Sequence, residues 1–385
     1  MQSFEIVIVG AGIAGASIAA ALVDAGVKGD RMLLAEREDF PGYHTTGRSA
    51  ALYSALYGNG TVCALTAASR AFYLSPPPGF ADHPLLTPRG CLYIAGDGAL
   101  GELDELEVNA RRVGARTTRM SPLAAREMVP VLRDGSLSAA LWEEDAMDID
   151  VHGLHQGYLR QARLAGVVLS TGAELRVAVR DGDGWVLTFG DETVRAATLV
   201  NAAGAWADEV ARIAGVPTVG LMPLRRTAIM LDPPAGTDVQ RWPAVVDAGG
   251  AFYFKPDAGM LLASPADETP SPPCDAQADE WDIAVCVERV QAAAELPVRR
   301  ISRSWAGLRS FVADRSPVVG RPATHPDFFW FAGQGGYGFQ MGPALARTGA
   351  SLLLKGQVPA PLAAQGVDSA TLSPDRCALQ THRAA

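Results

Sequence analysis

Lysine is nearly missing from this 385-residue chain. It occurs only at Lys28, Lys255 and Lys355, so arginine carries almost all of the basic charge. Acidic residues number 42 against 33 basic ones, and a net charge of −9 argues against nucleic acid or an anionic membrane surface as the main partner. Cysteine is sparse and unpatterned. Cys63, Cys91, Cys274, Cys286 and Cys377 form no Cys-x-x-Cys pair and have no histidine at metal-ligand spacing. We therefore expect reduced thiols, no metal site and a cytoplasmic location. Long apolar runs are absent too. The best candidate, Ile6–Val23, contains Gly10, Gly12 and Gly15 and has neither a basic flank nor a small-residue cleavage pattern. It reads as neither a leader nor an integral membrane segment. With 48% hydrophobic and 19% charged residues, the chain has apolar matter for about two domains and too little charge for disorder.

What is present begins at once. Residues 4–9, FEIVIV, form an apolar β-branched run suited to a strand buried on both faces of a parallel sheet. GAGIAG follows at 10–15, then a helix of small residues ending near Gly26, then MLLAE at 32–36. This is a βαβ unit with G-x-G-x-x-G spacing directly after its first strand. Gly10 permits the tight turn, Gly12 lets a pyrophosphate approach the backbone, and Gly15 lets the helix pack on the strand. The free N–H groups of the helix then face the phosphates. Glu36, 21 residues past Gly15, sits where a carboxylate accepts hydrogen bonds from ribose hydroxyls and repels a 2′-phosphate.

Two more strand–small-residue turn–helix patterns return at 198–215 and 328–354. A nicotinamide domain completes its fold in one block, whereas here the fold is revisited after long insertions. A helix N-terminus at Gly335–Gly338 would stabilise negative charge at the far end of a cofactor, which a reduced flavin requires. Residues 223–304 read as antiparallel strands, with a surface loop over 266–280. The expected fold is α/β: an FAD-binding, Rossmann-like domain of the glutathione-reductase type, with a second α+β substrate domain on an antiparallel sheet. The expected boundaries are 1–82, 146–222 and 305–385 for the first, and 83–145 and 223–304 for the second.

The stretches GAGIAGAS, PGYHTTGRSAA, HPLLTPR, LVNAAGAW, FYFKPDAGMLL, SWAGLRSFVAD and QGGYGFQ follow one another between residues 5 and 345. In them the chain resembles the D-amino-acid-oxidase-type FAD oxidoreductases, which include glycine oxidase and sarcosine oxidase. Within that family the resemblance is nearest to FAD-dependent D-arginine dehydrogenase. It implies non-covalent FAD and oxidation of a carbon bearing an amine, giving an imine that hydrolyses to a 2-oxo acid and ammonia. Around the cofactor it implies Gly10, Gly12, Ile13, Ala14, Gly15, Glu36, Arg37, Thr45, Thr46, Arg48, Ser49, Ala50, Ala51, Leu175, Ala203, Gly204, Trp206, Gly335, Gly336, Tyr337, Gly338, Phe339 and Gln340. Arg226, Arg309, Tyr57 and Tyr253 are implied as the clamp on a substrate carboxylate, with Arg309 also beside the flavin. The Gly336 carbonyl is implied to face the substrate amine. Chemistry supports the arginines independently, because a guanidinium binds a carboxylate bidentately. Only one of Arg225 and Arg226 can point inward from a strand.

Two positions depart from the D-arginine pattern. Leu52 stands where that pattern has a histidine, and Cys91 where it has an acidic residue facing the substrate guanidinium. A buried cation without its counter-charge is costly. With Ser54 beside them, Leu52 and Cys91 are therefore expected to wall the substrate pocket and to favour a neutral or hydrophobic side chain over D-arginine. Lys255 is expected to point away from the site. Monomeric sarcosine oxidases use a lysine near the flavin for reaction with oxygen, so the acceptor is read as a quinone slightly ahead of oxygen. The alternatives are an FAD-dependent 2-hydroxy acid dehydrogenase, a sarcosine-like oxidase of N-alkyl amino acids, and a flavin-binding subunit without turnover.

Overall fold

A computed structural model describes residues 1–380. The apolar runs behave as their lengths dictate. Strand Gln2–Val9 pairs in parallel with Met32–Ala35 on one side and Glu192–Asn201 on the other. Val168–Ser170 extends the sheet past Met32–Ala35, and Phe328–Ala332 joins it beside Leu199–Asn201. The hairpin Leu175–Asp181/Gly184–Phe189 adds antiparallel strands on the far edge. Both faces are covered, so alternate residues of one strand serve two cores. Phe329 and Phe331 pack with Ile18, Leu22 and Leu345, while Phe328 and Trp330 pack with Trp185, Leu199 and Val210. Helices Ile13–Asp24, Val151–Leu164 and Gly342–Lys355 cover the first face.

The second sheet has nine strands. Its longest pair is antiparallel, Met222–Leu231 against Ile301–Phe311. Leu92, Ile229, Phe254 and Leu261 form its core with Cys286 and Val290 of helix Glu280–Ala293. That helix corrects the reading of 223–304 as strands and loops alone. The strand Ile301–Phe311 also carries this sheet past the expected boundary at 304. A third small sheet joins Leu52–Tyr53, Leu86–Pro88 and Met147–Ile149. Among the described residues, no helix is long and apolar enough to cross a membrane.

The helix expected to start at Gly335–Gly338 begins later, at Gly342. Residues 334–341 instead form consecutive turns, with Tyr337 N–H donating to Gln334 O and Gly342 N–H to Phe339 O. Pro343 favours the first helical turn and marks the true start.

Candidate active site

The C-terminal ends of the first sheet's central strands meet the second sheet at a cavity of about 710 Å³. Doubly wound folds place ligands at such strand ends. Every cofactor residue expected from the sequence lines this cavity except Gly15. Gly15 sits behind the lining, where a Cβ would lie 1.7 Å from Gly10 O, so it serves the close helix–strand packing expected of it. Gly10 has a φ of +99°, and a Cβ there would meet Ala202 O at 2.6 Å.

Glu36 is buried. One carboxylate oxygen accepts from Ala11 N–H at 2.8 Å and the other from Glu38 N–H at 3.1 Å, which ties the end of the second strand to the glycine turn. Arg37 stacks over the Trp206 ring at 4.9 Å and pairs with Glu174 at 3.0 Å. The free helix N-terminus is partly a misreading: Ile13 N–H already donates to Thr46 Oγ1 at 3.0 Å. Loop 42–51 is tied to the second half of the chain. Thr45 Oγ1 donates to Leu308 O at 2.7 Å, and Arg48 Nη1 donates to Ala276 O and Ala306 O at 2.8 and 2.9 Å.

At the other end the acid-binding candidates converge. Arg226 and Arg225 are neighbours on one strand, so alternation sends them apart. Arg225 pairs with Asp282 at 2.7 Å, whereas Arg226 lines the cavity. Arg309 is 7% exposed, and its Nη2 donates to Tyr57 Oη at 2.7 Å. Its guanidinium lies 4.9 Å from the Phe311 ring centre and 5.9 Å from that of Tyr337. Burial holds the Tyr253 phenol above its usual pKa, with Arg226 pulling the other way. Gly336 packs directly on Arg309: a Cβ there would lie 2.2 Å from Nε.

The structure adds residues that sequence reading missed. Glu268, assigned to a surface loop, reaches the cavity and touches Arg226, Arg309 and a third guanidinium, Arg315. Lys255 lines the cavity too, with Nζ 2.7 Å from Asp148 Oδ1, which corrects the expectation that it points away. It shares strand parity with Tyr253, a signal the sequence did carry.

Cys91 requires a correction. It is wholly buried among Leu56, Leu103 and Leu141 and does not line the cavity. Tyr93, two residues on and longer, reaches the wall instead. Behind that wall lies Glu143, fully buried, accepting from Ser54 Oγ at 2.7 Å, Tyr93 Oη at 3.1 Å and Ala55 N–H at 2.9 Å. Burial pushes its carboxyl pKa up, and these three donors partly offset the rise. The wall is thus mixed: Leu52, Ala244 and Val246 are apolar, and the Ser54 and Tyr93 hydroxyls are polar.

The family model for FAD-dependent oxidoreductases of the DAO type matches residues 5–352. The chain belongs to this family. It is similar to the mouse (Mus musculus) "FAD-dependent oxidoreductase domain-containing protein 1", with 25% identity over 305 residues, 70% of this chain and 62% of that protein. The chain thus spans about three fifths of the length of the curated relatives of this name. Among solved structures it resembles glycine oxidase from Geobacillus kaustophilus (TM-score 0.82, 20% identity, 98% of this chain and 99% of that one). It also resembles L-proline dehydrogenase from P. horikoshii (TM-score 0.81, 21% identity, 94% and 96%).

The DAO-type oxidoreductase fold is FAD-dependent, and the residues here fit that cofactor. The same cavity is lined by Glu36 at the glycine turn and by Gln340 of the 334–341 turns. Two buried polar atoms on that lining, Gln340 Oε1 and Ser310 Oγ, have no protein hydrogen-bond partner among the described residues. Buried groups of this kind need a partner.

Proposed function

We propose that this flavoprotein oxidises the C–N bond of a D-amino acid with a neutral side chain, giving an imine that hydrolyses to a 2-oxo acid and ammonia. One observation carries the reading. Arg226, Arg309, Tyr57 and Tyr253 line the same cavity as the 335–340 turn. Two guanidiniums with two phenols make a receptor for one carboxylate.

FAD, held non-covalently, supplies the two-electron acceptor for the hydrogen lost from the α-carbon. The chain's own part is binding and orientation. Arg226 and Arg309 hold the acid, and the Gly336 carbonyl accepts from the amine. The apolar Leu52, Ala244 and Val246 exclude water from the side chain. An amine needs no side-chain base at the carbon, only loss of the ammonium proton before oxidation. An alcohol would need a base for its hydroxyl proton. The histidine of the D-arginine pattern is Leu52 here, which favours the amine over a 2-hydroxy acid.

D-Arginine is disfavoured on new grounds. The carboxylate behind that wall, Glu143, is already satisfied by three donors and holds its proton more tightly than usual. Lys255 in the cavity removes the argument that ranked quinone ahead of oxygen. Anaerobic mixing of the yellow holoenzyme with D- and L-amino acids, N-methylglycine and 2-hydroxy acids tests the whole reading. Bleaching by neutral D-amino acids is expected. Preferential bleaching by L-amino acids, D-arginine or a hydroxy acid would refute it, as would none at all. Oxygen uptake then separates the two acceptors.

A further inference from the structure

The guanidiniums assigned to the substrate acid already hold a carboxylate of the chain itself. Glu268 Oε1 lies 3.4 Å from Arg226 Nη2, 3.1 Å from Arg309 Nη1 and 2.6 Å from Arg315 Nη2, and Oε2 lies 3.0 Å from Arg315 Nη1. Two of the five N–H donors are in use on each clamp arginine. Arg226 spends Nε on Asp267 O at 2.8 Å and Nη2 on Glu268. Arg309 spends Nη1 on Glu268 and Nη2 on Tyr57. An incoming acid therefore meets a negative charge already seated on both arginines and must share them with it or displace it.

The neighbours of Glu268 are fixed. Asp267 accepts from Thr227 N–H at 2.7 Å and Thr227 Oγ1 at 3.1 Å, and Thr269 pairs with Arg225 across the strand. The Glu268 side chain, by contrast, is 35% exposed, so it has a path to solvent. Arg315, 41% exposed at the rim, offers it a partner on the way.

We propose that Glu268 is a built-in competitor for the substrate carboxylate. Rotation of its side chain exchanges one carboxylate for the other on Arg226 and Arg309, and so sets the affinity for the acid. This rests on the proposed acid-binding role of the two arginines. Burial tends to raise the Glu268 pKa, but the Arg315, Arg309 and Arg226 charges outweigh it and hold the group below its usual value. The exchange is accordingly between two anions across the neutral range.

The test reads binding and needs no turnover, so it stands apart from the identity of the oxidised substrate. Propanoate and its neutral isostere propanamide are titrated calorimetrically into holoenzyme carrying wild-type, Glu268→Gln, Glu268→Asp or Arg226→Met chains. Glu268→Gln should bind propanoate roughly tenfold more tightly, the order of one charge-assisted hydrogen bond no longer contested. Propanamide affinity should not change. Glu268→Asp, one methylene shorter, keeps the charge but loses reach and should fall between wild type and Glu268→Gln. Arg226→Met should abolish propanoate binding. Unchanged or weaker propanoate binding in Glu268→Gln would overturn the proposal, because Glu268 would then support the clamp rather than compete for it. Wild-type affinity in Glu268→Asp would overturn it too, since a distant field rather than contact would be at work.

Discussion

Gly336 gives the sharpest handle on the acid clamp. Its φ is outside the left-handed region, so alanine faces no such penalty there. The obstacle is Arg309 alone: the new Cβ would stand 2.2 Å from Nε, 2.6 Å from Nη2 and 2.8 Å from Cζ. Ordinary contact starts near 3.4 Å, so the guanidinium must retreat by about 1 Å. That breaks the 2.7 Å bond to Tyr57 and strains the 3.1 Å pair with Glu268. A hydrogen bond to a charged group contributes about 1.5–3 kcal/mol, so losing one of them from the substrate's receptor corresponds to roughly 10- to 100-fold. Gly336→Ala should raise the dissociation constant of a neutral D-amino acid by that factor in anaerobic stopped-flow flavin reduction. The limiting reduction rate should change far less, because the lost contact serves binding before chemistry. Gly335→Ala is the contrast. Gly335 sits at a φ of +54° with Phe311 2.1 Å from the added atom, so that variant strains backbone and core alike. A Gly336→Ala enzyme with an unaltered dissociation constant and normal thermal stability would refute the placement of Arg309 on the acid.

Two further expectations concern buried ionisable groups. His155 lies with Nε2 2.9 Å from Ala11 O, beneath the glycine turn; burial lowers its pKa below 6.5, and the Ala11 contact opposes this in part. Below pH 6.5 the unfolded chain then binds more protons than the folded one, so stability falls as pH drops from 6.5 to the lowered folded value. His155→Gln should flatten that limb in urea titrations; an unchanged pH slope would refute the assignment. Glu143→Ala should cost about 2–4 kcal/mol, because it leaves the Ser54, Tyr93 and Ala55 donors unmet in a buried site, and a loss under about 0.5 kcal/mol in denaturant unfolding would contradict that network.

The sequence made legible what is local. The glycine spacing, Glu36 and the strand–turn–helix patterns act within a few tens of residues, and all of them meet at one cavity. Arg226 was legible against Arg225 because strand alternation allows one inward side chain. Lys255 was equally legible by parity with Tyr253, and only the proline after it obscured the inference. Glu268 was not. Its partners Arg226, Arg309 and Arg315 lie 41 to 47 residues away and meet it only because strands Met222–Leu231 and Ile301–Phe311 pair. In sequence it sits among Asp, Pro and Thr and reads as solvated. Cys91 failed for a different reason. The resemblance put it at the wall, but side-chain length decides what reaches a wall, and Tyr93, two residues along the same strand, outreaches it.

The strand Phe328–Ala332 has a consequence for biosynthesis. It pairs beside strand Glu192–Asn201, and its Phe329 and Phe331 back helix Ile13–Asp24. The ribosome must therefore emit Phe328–Ala332 before the nucleotide half can close. Until then, the early βαβ unit waits with one apolar flank bare, a stage at which nascent chains aggregate or recruit chaperones. A nonsense mutation upstream of Phe328 should thus yield insoluble, colourless material rather than a smaller functional fragment.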